Sequence, residues 1–214
     1  MFRRRKGAPA AVTTPIPGTE QPEREELARP KGPWDLADTE VSDEDPDLVD
    51  LGGLLVRARP GMELRLQVDE QRGDVVAVML VAEDGAVELR AFAAPRNESI
   101  WDDIRREIGA EATRRGGTAT EQQGEFGAEL RLAVPVQTSD GQQGTQTSRV
   151  VGVSAPRWLL RGTFLGRPAQ EPDPDGLLES AFRDVVVRRG EGPMAPRTQI
   201  PLQFPPGAEQ DHPA

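Results

Sequence analysis

The sequence predicts an α+β fold: an antiparallel sheet of five to seven strands packed by two helices, between disordered tails. Three observations carry this. Short apolar runs alternate with period two and are joined by tight-turn residues, the mark of hairpins. Only two stretches have helical periodicity, Asn97 to Arg115 and a second from Pro174, and both come late. Between them, Ser154 to Gly166 places Trp158, Leu160 and Phe164 on one face of an extended chain. Leu159, Arg161, Thr163 and Leu165 fall on the other face. Apolar groups on both faces predict a central strand covered on both sides. Strands in hairpins with helices inserted late are the pattern of α+β folds.

Residues 1–33 carry Pro, Gly and charges without apolar period and are expected to be disordered, as are residues 206–214. Residues 34–50 form an acidic arm or linker. Eight carboxylates from Asp35 to Asp50 occur with no basic residue among them, interspersed with Trp34, Leu36, Val41, Leu48 and Val49. Trp34 and Leu36 suit a docking arm, because a tryptophan in a plain linker is wasted surface. One domain is expected over residues 51–205.

Within it, Leu51 to Val56 is a short apolar run, and Arg59-Pro60-Gly61 signals a turn. Met62 to Val68 alternates as a half-exposed strand with Met62, Leu64, Leu66 and Val68 inward. Val75 to Val81 is a β-branched strand, and Glu83-Asp84-Gly85 turns it into a partner running through Val87, Leu89 and Ala91. In the first helix Ile100, Ile104 and Ile108 form a core-facing stripe with Trp101 at its edge. Ser99 and Asp102 have capping-box spacing, and Gly116-Gly117 stops the helix. Thr118 to Gln123 is a weak strand, and Leu130, Leu132 and Val134 alternate in the next. Pro135 predicts an edge or a strand end there. Thr138 to Ser148, rich in Gln, Gly, Ser and Thr, is expected to be a mobile loop. Asp173 is a candidate cap for a second helix with Pro174 at its first position and Leu177, Leu178, Ala181 and Phe182 on its apolar face. Val185-Val186-Val187 is its end or a last strand. Ile200, Leu202 and Phe204 tie down the exit.

The residue inventory excludes several chemistries. There is no Cys and no Tyr. The one histidine is His212, and the lysines are Lys6 and Lys31, all within the expected tails. A Ser-His-Asp triad, a Cys-His nucleophile, a zinc site and a Schiff-base lysine in the folded part are therefore disfavoured. No catalytic residue, metal site or cofactor is assigned. The net charge of −10 argues against nucleic acid, which needs clustered basic residues; Arg3 to Lys6 are the one basic cluster. No apolar run is long enough to span a membrane, and Arg3 to Lys6 lead into prolines rather than an apolar core. A cytoplasmic location is the expectation.

Arginine is what remains for recognition. Arg96, Arg157, Arg161, Arg189 and Arg197 are candidate anion- or partner-binding residues, since a planar guanidinium suits carboxylate and phosphate alike. Arg161, on an otherwise apolar strand face, must be paired internally or stand in an anion pocket. The expected function is a non-enzymatic interaction module whose arginine-lined surface takes an acidic peptide or protein segment, its own acidic arm or a protein partner's. The alternative is a binder of a small anionic metabolite, or an enzyme working with arginine and carboxylates. No reaction, partner identity or oligomeric state follows from these residues.

Several pieces of the chain resemble, in their order, an actinobacterial family of unknown function, domain of unknown function 3710. They are Phe92-Ala93-Ala94-Pro95-Arg96, Ile100-Trp101, Gly124-x-Phe126-Gly127-x-Glu129-Leu130, and Pro156-Arg157-Trp158-x-Leu160-Arg161-Gly162. Arg183-Asp184-Val185-Val186-Val187-x-Arg189-Gly190 and Pro193-Met194-Ala195-Pro196-Arg197 complete the set. The resemblance spans about residues 34 to 205 and implies no activity, substrate or site residue. More loosely, the order of strands and helices is similar to the PsbP-like α/β/α sandwich, a likeness of topology that carries no function.

Overall fold

The computed structural model describes residues 32–41, 45–137 and 141–206. The basic cluster Arg3 to Lys6, His212 and the two expected tails, except Gly32, Pro33 and Pro206, lie outside the described residues, as do residues 42–44 and 138–140.

Seven strands form one antiparallel sheet: β4 (Glu63–Val68), β5 (Val75–Ala82), β6 (Gly85–Ala93), β7 (Thr118–Gly124), β8 (Gly127–Gln137), β9 (Gln143–Ala155) and β10 (Trp158–Gly166). Their order across the sheet is β4-β5-β6-β10-β9-β8-β7, so the apolar stretch predicted to be central occupies the middle position. Trp158, Leu160 and Phe164 are fully buried in one core, and Leu159 is fully buried in the core of the opposite face. A tryptophan such as Trp158 removes about 200 Å² from water, worth roughly 5 kcal/mol at 25 cal/mol/Å².

Each face is closed by a helix. On one, α1 (Trp101–Arg114) packs over β7, β8 and β9. Trp101 rests on Gly152, where an added Cβ would stand 2.3 Å from the indole ring. On the other, Phe182 of α3 (Leu177–Arg183) lies against Gly162, with 2.6 Å to an added Cβ. Two glycines on adjacent strands thus let one aromatic ring settle on each face of the sheet.

The second face is also covered by a small mixed sheet that the sequence pattern did not suggest. Its strands are β1 (Trp34–Asp35), β2 (Leu48–Asp50), β3 (Leu54–Arg57) and β11 (Val186–Val187), ordered β1-β11-β3-β2 with β1 parallel to β11. The acidic stretch is therefore part of the folded body where it is described. Asp50 of β2 pairs with Arg188 at 2.7 Å, and Trp34 donates its backbone N–H to Val185.

Several local expectations need correction. Residues 143–148, expected in a loop, belong to β9 and pair with β8 from Gln137↔Gln143 onward, because a long antiparallel partner satisfies the backbone whatever the side chains. Pro135 is inside β8 rather than at its end, and of the two alternatives it is the edge position that holds. β7 pairs only as far as Ala133, so Pro135 sits in a segment with one neighbour and its missing N–H breaks no second ladder. α1 starts at Trp101 rather than Asn97. Ser99 Oγ accepts from Trp101 N–H at 3.2 Å and bonds Ser154 Oγ at 2.9 Å, while Asp102 pairs with Arg105, so no capping box forms. Trp101 is no edge residue: only 6% exposed, it donates its indole N–H to Ala128 O. Asp173 caps no helix. It closes a turn, its carbonyl accepting from Gly176 N–H, ahead of α3, and a short helix α2 (Arg167–Gln170) precedes it. Val68, beside a bulge at Gln67/Val68, is exposed rather than inward.

Candidate functional site

One end of β10 collects three chain segments that are far apart in sequence. β6 leaves the sheet through Ala94, Pro95 and Arg96. The β9–β10 hairpin turns at Pro156-Arg157, and β11 runs out through Arg188 and Arg189. Backbone bonds lock the first two together: Ala94 N–H donates to Arg157 O at 2.8 Å, and Arg157 N–H to Pro95 O at 3.3 Å. Arg157 holds φ at 77°, a left-handed conformation that a non-glycine residue adopts at a cost, and such residues cluster at functional sites.

The result is a cleft of about 680 Å³ whose walls include Arg96, Arg157, Arg188 and Arg189. A short 3-10 turn, Leu36–Asp38, closes one side together with Asp35, and Glu191 also faces the cleft. Asp35 is committed elsewhere: its Oδ2 accepts the indole N–H of buried Trp158 at 2.7 Å, and its Oδ1 accepts Ala37 N–H. Arg188 is held by Asp50 and Gly52 O.

Among the described residues Arg157 and Arg189 are held without an ion pair, although Asp38 and Glu191 line the same cleft. Arg157 Nη2 donates to Gly190 O and Glu191 O, both at 3.2 Å. Arg189 Nε donates to Arg157 O at 3.3 Å and its Nη1 to Gly192 O at 3.1 Å. Carbonyls orient a guanidinium but supply only partial charge. Burial, and secondarily the neighbouring Arg157 charge, pushes the Arg189 guanidinium below its ordinary value. Arg96, exposed beside them, has no hydrogen-bonding or ionic partner among the described residues. The arrangement suits an anion with several oxygens.

Of the five arginines singled out in the sequence, the structure brings together Arg96, Arg157 and Arg189, and adds Arg188. Arg161 and Arg197 are elsewhere. Arg161 lies mid-strand on the α1 side of the sheet, 3.5 Å from Glu88 and over the Phe92 ring at 5.5 Å. Burial lowers its pKa, with Glu88 opposing, and its Nε has no partner. Arg197 turns to α1, where it bonds Glu107 at 2.7 Å and Asp103 at 3.2 Å; the Glu107 bond raises its pKa. Leu36 lies in the cleft wall, whereas Trp34 stands 39% exposed beside a different hollow.

A second arginine cluster, absent from the sequence reading, is fully internal. Arg149 of β9 is 1% exposed and donates to Glu129 at 3.3 Å, to Glu179 at 2.5 Å and to Pro168 O at 3.0 Å, beneath the Phe164 ring at 4.1 Å. Gln122 caps Glu129 from β7 at 2.6 Å. Burial pushes the Glu179 carboxyl up, against the pull of Arg149. The alternation Arg149, Val151, Val153 was the available signal, since it puts the arginine on the core face. With each of its nitrogens engaged, this guanidinium ties β8, β9, α2 and α3 together and has nothing left for a ligand.

Among the described residues no helix is long and apolar enough to cross a membrane, and no group of three or more His, Cys, Asp or Glu is placed to hold a metal ion. A family model described as "Protein of unknown function (DUF3710)" matches residues 32–211, and the chain belongs to that family. None of the curated proteins matches it.

Proposed function

We propose that this member of the DUF3710 family is a non-catalytic binding module, and that the cleft between Arg96, Arg157, Arg188 and Arg189 receives an acidic segment of a protein. What supports the reading is the way Arg157 and Arg189 are held. Main-chain carbonyls fix both guanidiniums in place, and among the described residues neither forms an ion pair, although Asp35, Asp38 and Glu191 also line the cleft. In a chain of net charge −10, leaving two adjacent arginines uncompensated has a cost that a bound anion would remove. Several guanidiniums spread over three loops fit several carboxylates of an extended segment, each able to accept a two-pronged bond.

Isothermal titration of the full chain with a synthetic oligoglutamate peptide tests this. Saturable binding that weakens by about tenfold or more in Arg96→Ala/Arg189→Ala, and is unchanged in Arg197→Ala, is the expected result. Equal binding by the cleft variant, or none by the unaltered chain, overturns it. A thermal-shift screen of small organic anions and nucleotides is the companion experiment. Stabilisation by one of them that depends on Arg96, without peptide binding, would replace the acidic segment by a metabolite.

A further inference from the structure

We propose that Glu179 is a proton-operated latch: with a proton on its carboxyl it holds α3 and the turn before it against the sheet, and its ionisation loosens both. This device lies outside the arginine cleft.

Charge inside the core on the α3 side does not balance. Glu129, Arg149 and Glu179 are each at most 2% exposed, and they bring two carboxylates to one guanidinium. Fully ionised, the trio buries one uncompensated negative charge, and a buried carboxylate without its own cation takes up a proton instead. Glu129 is served as an anion from two sides, by Arg149 Nη1 at 3.3 Å and by Gln122 Nε2 at 2.6 Å. Glu179 is served differently. Arg149 Nη2 and the Asp173 N–H both donate to its Oε1, at 2.5 and 3.4 Å, so Oε2 can carry a hydrogen without loss of either bond. Burial pushes this carboxyl up, Arg149 pulls it down, and the nearby Asp173 charge adds to the upward push.

Glu179 lies between two cavities, of about 270 and 540 Å³. On the first side it is faced by Glu129 and Arg131 of β8, by Arg149 of β9 and by Glu125. Arg131 donates to Gln170 O, and Glu125 pairs with Arg183 of α3. On the second side stand Glu83, Asp84, Glu171 and Asp173 with Arg167, which pairs with Asp84. Among the described residues, Arg149 is thus the cation that meets Glu179.

Glu179 sits in the first turn of α3, and Asp173 in the turn before it. Phe182, three residues on, packs edge-on against Phe126 and Phe164. Once Glu179 is ionised, lifting the first turn of α3 lets water from the two cavities reach the carboxylate. The lifted form has the ordinary carboxyl value of 4.5, and the closed form binds its proton more tightly. The latch therefore contributes fully below pH 4.5 and is lost as pH rises through the closed-form value. Between the two values each pH unit raises the opening equilibrium about tenfold.

Amide hydrogen exchange of the full chain, expressed as protection factors from about pH 4 to about pH 8, reads this opening. The α3 amides are expected to lose protection about tenfold per pH unit until Glu179 is ionised, while the α1 amides keep theirs. In Glu179→Gln, which keeps a neutral acceptor on Arg149, α3 protection is expected to stay constant with pH. Carboxyl-carbon NMR of the unaltered chain is expected to show a glutamate titrating well above the others, and Glu179→Gln to remove that signal. Equal loss of protection in α1 and α3 overturns the proposal. So does an α3 profile that Glu179→Gln leaves unchanged, or the absence of a raised glutamate. If Glu179→Gln fails to fold, the α3 profile and the carboxyl titration of the unaltered chain decide.

Discussion

Arg149 is sealed between Glu129 and Glu179 inside the sheet's core, whereas the hydrogen bonds of the Arg157 and Arg189 side chains, at the end of the central strand, go to main-chain carbonyls among the described residues. The side chain is the same, and the partners decide its role. Two carboxylates, a carbonyl and an aromatic ring saturate Arg149, so its charge is an internal fastener. Carbonyls fix the cleft guanidiniums in position without cancelling their charge, which leaves them attractive to an anion from outside. Arg161 stands between these cases, half-buried, with one carboxylate at 3.5 Å and an unpartnered Nε.

Substitutions separate the two situations in order of size. Arg149→Met leaves two carboxylates buried without their cation, and breaking a buried pair in this way costs about 3–5 kcal/mol. Urea denaturation reads it directly. A loss well below that range would mean the carboxylates escape by protonation or by reaching solvent. Replacing all three charged residues by apolar ones of similar volume should restore most of the loss, because the fastener's own desolvation cost then disappears. Asp35→Ala removes the acceptor of the Trp158 indole, stranding a buried donor at a cost of about 1–3 kcal/mol in the same assay. Arg197→Ala breaks a solvent-screened pair with α1 and should cost no more than about 1 kcal/mol. Arg96→Ala, with no partner among the described residues to lose, should leave stability within about 0.5 kcal/mol of the unaltered chain while weakening peptide binding. Were Arg96→Ala to destabilise as much as Arg149→Met, the cleft would be a second fastener and the contrast would vanish.

Much of the main sheet was legible in the residues, because period-two alternation and turn residues agree along Val75 to Ala93 and Trp158 to Gly166. Of the helices, α1 was legible through the four-residue spacing of Ile100, Ile104 and Ile108 and α3 through Leu177, Leu178, Ala181 and Phe182, whereas the four-residue α2 was not. The small second sheet was not. Strands of two residues, Trp34–Asp35 and Val186–Val187, have no period to detect, and Asp50 finds Arg188 across 138 positions of chain. Arg149 was hidden by the polar composition before it, which reads as loop until β8 is known to run alongside. Glu129 alternates with Leu130, a pattern that would face it outward in a sheet with one wet face, but both faces of this sheet are covered and it is buried. Arg96, Arg157 and Arg189 were identifiable because each flanks a turn or a strand end. Arg161 was included for its odd position on an apolar face, but a mid-strand residue cannot reach the end of its own sheet.

The most direct measurement is a backbone amide NMR titration of the full chain with oligoglutamate. Shifts are expected to concentrate at residues 96–97, 157–158 and 188–191, with Arg90, Arg161 and Arg197 left in place. Shifts centred on Arg90 and Arg161, or scattered evenly over the surface, would contradict it.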